Sequence, residues 1–215
     1  MFEFNTIAVG ALAVSVVCSL TYVGFFQLQP VTPARAAIKT TATGALVVAA
    51  LAGGVSVLFA VALGVATLGD YVKTFRSERS LMAAIALSGL MQVLTCIWFA
   101  RELWVGIETP LVAILGVFGM TGGFFALVWP KLGARAAVVV PFMLTSLALF
   151  SLGLGAAPGR PLLMLGVMFY LLSLLLLGCE LILFHGSYRF LRIVGPVIWV
   201  FYHAGLVLMT IGGAE

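Results

Sequence analysis

The stretch ATLGDYVKTFRSERSLM, residues 66–82, decides the fold, because a long apolar run meets a carboxylate there and then a basic turn. Residues 55–69 carry no ionisable side chain, and Asp70 follows them directly. If that run spans a membrane, the Asp70 carboxylate lies at the inner edge of the hydrocarbon. An ionised carboxylate costs a few kcal/mol at the bilayer centre and less near its edge. Asp70 is therefore expected to have a partner or a functional role.

The composition predicts an integral membrane protein. Of the 215 residues, 63% are hydrophobic and only 8% are charged, which is more apolar surface than one soluble core could bury. Apolar runs of about 20 residues recur, and each can cross a ~30 Å hydrocarbon layer as a helix. The runs lack the alternation of a membrane β-barrel. The predicted fold class is all-α, a polytopic transmembrane helix bundle forming a single domain over residues 1–215.

Eight spans are predicted. Short connectors with turn signals separate most of them, such as Gly53-Gly54 and the two prolines within residues 29–35. The first run follows a terminus without basic residues, unlike a cleaved signal peptide, so it is expected to remain as a span. The predicted spans cover residues 5–28, 36–52, 55–74, 80–100, 109–130, 135–156, 161–184 and 193–212.

The basic residues predict the orientation. Only Arg101 and Arg160 fall in connectors after even-numbered spans. Because retained loops favour Lys and Arg on the cytoplasmic side, both termini are expected outside the cytoplasm. The net charge of +4 reflects this bias, and nucleic-acid binding is not indicated. The compact loops suggest a bacterial inner membrane. The other nine of the eleven basic residues are Arg35, Lys39, Lys73, Arg76, Arg79, Lys131, Arg135, Arg189 and Arg192.

The cysteines indicate neither a metal site nor a disulfide framework. Cys18, Cys96 and Cys179 stand alone in three different apolar runs, where they are interpreted as small buried residues. No cofactor or metal is expected, and the pattern leaves a homo-oligomer open.

Depth along an antiparallel bundle predicts which polar groups meet. Lys39 begins span two, whereas Asp70 and Glu180 lie about one turn from the inner ends of spans three and seven. These three charges are expected in one layer near the cytoplasmic surface. The flanking residues of Glu180 offer it no local counter-charge, and Tyr202 and His203 lie in the middle of span eight.

Two helical stripes of polar residues lie deeper. One stripe is on span four and the other on span seven, at spacings that keep each set on one helix face. Polar residues often join helices in membranes. Ser88, Thr95 and Ser173 could therefore serve helix packing instead of a site, and His203 could be a hydrogen-bonded core residue. Instead of a catalytic role, Asp70 could form a plain interfacial ion pair with Lys73 or Lys39. The stripes are Ser88, Gln92 and Thr95, and Tyr170, Ser173 and Glu180.

These residues resemble the lysoplasmalogenase-like (YhhN) family of membrane proteins. The likeness covers nearly the whole chain, from Lys39 and the Leu68-Gly69-Asp70 motif to residues 97–100, 110–112 and 166–173. The resemblance implies an eight-span bundle. It also implies a hydrolase that cleaves the vinyl ether bond of lysoplasmalogens, releasing a fatty aldehyde and a glycerophospho-base. A lysophospholipid is then the expected partner.

The chain departs from the family pattern at several polar positions. The family's Lys-Pro-Leu-Thr reads Lys39-Thr40-Thr41 here, and its span-four histidine falls on Gln92. The tyrosine a turn later falls on Thr95. The acid that commonly follows the span-seven serine falls on Leu174, and a span-eight polar position falls on Gly205.

Vinyl ether hydrolysis needs an acid that holds its proton and a negative charge beside the cation that forms. Two carboxylates in a dry pocket meet both needs. Asp70 and Glu180 are the predicted catalytic pair, with Glu180 replacing the acid missing at Leu174. From the resemblance and from their depth in the bundle, the predicted substrate-binding residues are Lys39, Gln92, Ser173, Tyr202, His203 and Arg189. Lys39, Arg189 and Arg192 suit the phosphate.

Of two rival functions, one remains. The apolar residues at Leu174 and Gly205 favour a member that keeps a lipid-sized cavity but has lost the chemistry, and that binds or carries a lipid or small solute. Residues 101–110 resemble the third helix of microbial rhodopsins, which suggests a light-sensing seven-helix protein. That reading fails because residues 193–212 contain no lysine to form a retinal Schiff base.

Overall fold

The structure is a computed structural model that describes residues 5–75, 77–106, 111–156, 158–180 and 188–215, without the side chains of 112–114, 116–117, 120 and 188–191. Throughout these ranges the regular structure is helical, as predicted. The α-helices are α1 Thr6–Thr21, α2 Pro33–Ala52, α3 Val57–Lys73, α4 Glu78–Trp98, α5 Leu111–Leu132, α6 Ala136–Ala156, α7 Pro161–Gly178 and α8 Tyr188–Gly212.

Capping side chains fix where the helices begin. Asn5 accepts a hydrogen bond from Ala8 N at 2.9 Å, and Ser77 forms a capping box with Ser80 at the start of α4. Thr32 caps α2, whose first residue is Pro33. The helix α2 therefore begins three residues before the predicted span. Pro130, predicted to close span five, lies inside α5, which continues to Leu132.

Six helices form a closed ring. Neighbours around it are α2, α3, α4, α6, α7 and α8, and α8 packs against α2 to complete the circuit. The helix α1 packs on the outside against α2 and α8, and α5 packs outside against α6. The ring encloses a core to which Leu46, Leu63, Met91, Leu149 and Leu206 contribute from five helices.

Contacts between helix ends show that successive helices alternate in direction. On one face the Asn5 side chain donates to Ala52 O at 2.8 Å, Ser56 donates to Glu102 at 2.8 Å, and Val105 N donates to Gly155 O at 3.0 Å. At the opposite end of the bundle, Glu78 at the start of α4 meets Arg135 in the turn before α6. We call that end, which carries the connectors after α1, α3 and α5, the basic face.

Apolar segments long enough to cross a membrane number six in the described part of the chain. One of them, Thr121–Ala156, includes residues of both α5 and α6, and α3 has 17 residues. These helices identify an integral membrane protein. The other five segments are Thr6–Phe26, Pro33–Ala52, Glu78–Leu103, Pro161–Gly178 and Arg192–Gly212.

Candidate functional site

Asp70 lies at the meeting point of three helices near the basic face. Its side chain is buried on α3, and Lys39 Nζ on α2 lies 3.0 Å from Oδ1. Thr43, one turn further along α2, donates a hydrogen bond to Oδ2 at 2.7 Å. Tyr202 on α8 donates to the same oxygen at 3.0 Å. One cation and two hydroxyl donors therefore contact the two oxygens of this carboxylate.

Lys39 is held by groups other than Asp70 alone. Its ammonium donates to the Asp70 backbone carbonyl at 3.3 Å and lies over the Trp199 ring, 5.2 Å from the centroid. The Tyr22 ring is 6.0 Å away. A lysine so buried and surrounded is stabilised by cation–π contacts as well as by its ion pair. Of the two ion pairs considered from sequence, Asp70 forms the one with Lys39.

Gln92 organises a second polar cluster. Its side chain is fully buried on α4, and Nε2 donates to Ser146 Oγ on α6 at 2.9 Å and to the Tyr170 hydroxyl on α7 at 3.5 Å. Thr145 donates to the Gln92 carbonyl oxygen. The amide thereby joins α4, α6 and α7 with both of its polar atoms satisfied.

The two clusters adjoin through a pair of tyrosines. The ring centroids of Tyr170 and Tyr202 are 5.9 Å apart. Because Tyr170 bonds to Gln92 and Tyr202 bonds to Asp70, polar groups from all six helices of the ring form one layer across it. We call this layer the polar belt. It consists of Lys39, Thr43, Asp70, Gln92, Ser146, Tyr170 and Tyr202.

Two other predicted site residues have local roles. The Ser173 hydroxyl donates to the Tyr170 carbonyl of its own helix at 2.6 Å. His203 Nε2 lies 2.9 Å from Ser15 Oγ and 3.4 Å from Ala42 O, so it joins α8 to α1 and α2. These contacts favour the helix-packing alternative for both residues. Ser88 and Thr95 likewise donate to carbonyls within α4.

Glu180 is buried but does not contact the belt. Only 8% of it is exposed, and among the described residues it has no hydrogen bond or ion pair. The charge of Lys73 lies within electrostatic range of both Glu180 and Asp70. The two carboxylates are therefore at the same end of the bundle but not in contact, and their catalytic pairing stays a prediction. The Arg189 side chain lies outside the described residues.

Sequence reasoning missed several residues that contact the site. Thr43 and Trp199 meet Asp70 and Lys39, and Ser146 meets Gln92. Thr43 carries a signal that was available, because it lies one turn beyond Lys39 and so shares its helix face. Ser146 lies within a long apolar run, where a polar residue is itself informative.

A large side cavity opens next to the belt. It has a volume of about 800 Å³ and lies between α4, α5, α6 and α7. Its walls are mostly apolar, with Lys131 and Arg135 at the basic face and Ser146 on the wall towards the belt. Leu174, at the position of the missing acid, also lines it. Among the described residues, no group of three or more His, Cys, Asp or Glu side chains could hold a metal ion.

The fold and the site together define a helical membrane protein with a buried charged network beside an apolar cavity. Residues 34–213 match the YhhN family, and the chain belongs to that family. No functionally described protein and no solved structure matches it.

Proposed function

We propose that the protein is a lysoplasmalogenase-like membrane hydrolase. It would cleave the vinyl ether bond of a lysoplasmalogen to a fatty aldehyde and a glycerophospho-base. The observation that carries the proposal is the buried Asp70 carboxylate, which contacts Lys39, Thr43 and Tyr202 in a bundle of this family. A fixed negative charge in a poorly hydrated site is what a developing cation requires.

The reaction divides between two carboxyl groups. An acid donates a proton to the alkene carbon distant from the ether oxygen, and the adjoining carbon becomes an oxocarbenium-like cation. Water then adds to that carbon and loses a proton, and the resulting hemiacetal separates into aldehyde and alcohol. Asp70 suits stabilisation of the cation because its ion pair and two hydroxyl donors fix the carboxylate in place. Glu180, which lacks an ion pair among the described residues, suits the proton donor.

Basic residues at the inner end of the bundle suit the substrate phosphate. Lys39 is engaged by Asp70, so its role is better described as holding that carboxylate than as meeting the phosphate. Arg192 is exposed at the start of α8, and Arg189 precedes it by one turn. We therefore assign the phosphate to these two arginines.

An aldehyde-release assay tests the proposal. Purified protein in detergent, given lysoplasmenylethanolamine, is expected to release fatty aldehyde. Asp70→Asn and Glu180→Gln are each expected to lower the rate by about 10²-fold or more, the usual effect of losing an acid–base group. The matched control is Glu102→Gln on the opposite face, where Glu102 accepts a hydrogen bond from Ser56 and contacts no other polar side chain among the described residues. Full activity in both test variants, with each folded, would contradict the assignment.

The second candidate is a lipid-binding or lipid-carrying protein without hydrolase activity. The side cavity favours it, because Leu174 makes its wall apolar where the family commonly has an acid. Gly205 cannot be replaced by a polar residue without rearrangement, since a Cβ there would lie 2.7 Å from Tyr170 N. Binding of a lysophospholipid without release of aldehyde would decide for this candidate.

We further propose eight spans, with both termini outside the cytoplasm. The 17 residues of α3 cover about 26 Å at 1.5 Å each, close to the ~30 Å hydrocarbon thickness. The left-handed backbone at Gly133, with φ +51°, supports a turn between α5 and α6 rather than one long helix. A bacterial inner membrane suits this compact form.

A further inference from the structure

The side cavity is elongated along the bundle axis. Its lining runs along α7 from Leu165 to Gly178, which is about 20 Å of helix at ~1.5 Å per residue. One leaflet of a bilayer is about 15 Å of hydrocarbon, half of the ~30 Å core. The cavity is therefore long enough to hold a lipid tail lying parallel to its neighbours in the membrane.

The charges around the cavity are all basic. Lys131, in the last turn of α5, and Arg135, in the turn before α6, line its end at the basic face, and none of its described lining residues is acidic. Arg135 is engaged by Glu78, with Nη2 2.9 Å from Oε1. Lys131 is exposed and has no ion-pair partner within the described ranges. An anionic group at this rim would therefore meet a free ammonium.

One residue of the polar belt, Ser146, lines the cavity. Ser146 lines the cavity and at the same time accepts a hydrogen bond from Gln92 at 2.9 Å. Gln92 bonds in turn to Tyr170, whose ring adjoins Tyr202 and hence Asp70. A molecule in the cavity thus reaches the belt at Ser146, one side chain away from Gln92.

We propose that the side cavity is the binding site for a single-chain phospholipid taken laterally from the leaflet at the basic face. The hydrocarbon chain lies along α6 and α7, and the phosphate of the lipid held in the cavity meets Lys131, a position distinct from the one that Arg189 and Arg192 give to the reacting substrate. The choice of a single-chain lipid rests on the proposed function, whereas the binding itself requires no chemistry at the belt.

A photo-crosslinking experiment tests the site. The full chain in nanodiscs receives a saturated lysophosphatidylglycerol that carries a diazirine in its chain, and labelled peptides are identified by mass spectrometry. Label is expected on α6 and α7, and excess unlabelled lysophosphatidylglycerol should compete it away. Leu175→Trp, which fills the cavity, should reduce this label at least fivefold. Leu51→Trp on the exposed surface of α2 is the matched control and should leave it unchanged.

A second variant tests the phosphate contact. Lys131→Glu should weaken competition by unlabelled lysophosphatidylglycerol about tenfold, but not competition by a monoacylglycerol of equal chain length, which lacks the phosphate. Leu172→Trp provides another filled cavity if Leu175→Trp fails to fold. Because the probe has no vinyl ether bond, labelling can succeed even if hydrolysis is absent.

Three results would overturn the proposal. Equal labelling on every lipid-exposed helix would show ordinary surrounding lipid. Unchanged label in both tryptophan variants would place the chain elsewhere. A tryptophan variant that dissociates a dimer would show that a second copy of the chain covers the cavity.

Discussion

At the scale of single residues, Asp70 shows what sequence can and cannot predict. The free-energy cost of a carboxylate in an apolar run predicted a partner for Asp70. The depths of the two residues along their helices predicted Lys39 in the same layer, and the structure shows the two side chains in contact. Position along a helix says nothing about how the helix is rotated about its axis, and that rotation decides which other side chains contact Lys39 and Asp70. Thr43 and Trp199 therefore escaped notice, and Glu180 was expected closer to Asp70 than its contacts show.

Removing one member of this buried pair should be more damaging than removing both. Lys39→Met leaves the Asp70 carboxylate buried with only two hydroxyl donors, and an uncompensated buried charge costs about 3–5 kcal/mol. The double variant Lys39→Met/Asp70→Asn should recover part of that loss. Unfolding of the purified protein in mixed micelles, followed by tryptophan fluorescence, measures the free energies.

The solvent-facing pair Arg135–Glu78 provides the comparison for this prediction. Its side chains are 48% and 67% exposed, so Arg135→Met should cost about 1 kcal/mol or less. A loss of the same small size for Lys39→Met would contradict the description of the Asp70 pair as buried and energetically coupled.

At the scale of helices, α7 and α8 approach closely through glycines. A Cβ on Gly166 would lie 2.6 Å from Met209 N, and one on Gly205 would lie 2.7 Å from Tyr170 N. Small residues at such crossings let membrane helices pack against one another along their backbones. This contact brings Tyr170 beside Tyr202 and so forms the centre of the polar belt. Hydropathy alone could not predict it, because it depends on which helix faces meet.

Alanine at either of these glycines should separate the two helices. Gly166→Ala and Gly205→Ala are each expected to destabilise the protein by about 1–3 kcal/mol, because an added methyl group meets backbone atoms that cannot move aside. Gly64→Ala is the matched control, since a Cβ there meets nothing within 4 Å. It should be neutral or stabilising by about 1 kcal/mol through helix propensity. Equal effects at all three glycines, measured by thermal unfolding in detergent, would refute the close approach.

At the scale of the whole molecule, the predicted apolar runs and the observed helices agree in order and differ at their ends. The run at 161–184 was predicted as one span; α7 covers Pro161–Gly178, helical backbone continues through Glu180, and residues 181–184 lie outside the described part of the chain. Hydropathy reports where apolar residues stop, but capping groups and turns decide where hydrogen bonding stops. The alternation of helix direction followed from the short connectors. The membrane side of each face does not follow from the fold, because only the charge bias addresses it.

Cysteine accessibility tests that last assignment. The native Cys18, Cys96 and Cys179 are first replaced by alanine. Single cysteines are then introduced at Thr6 and Glu215, near the two ends of the chain, and at Ala134, on the basic face. All three positions are exposed. An even number of spans requires Thr6→Cys and Glu215→Cys to react on the same side. With basic connectors retained in the cytoplasm, both should react in intact cells with a membrane-impermeant maleimide, and Ala134→Cys only after permeabilisation. If the two termini react on opposite sides of the membrane, eight spans are excluded. If all three sites show the reverse pattern, the eight spans stand but the bundle is inverted. The Lys131 rim and the belt would then lie beside the outer leaflet.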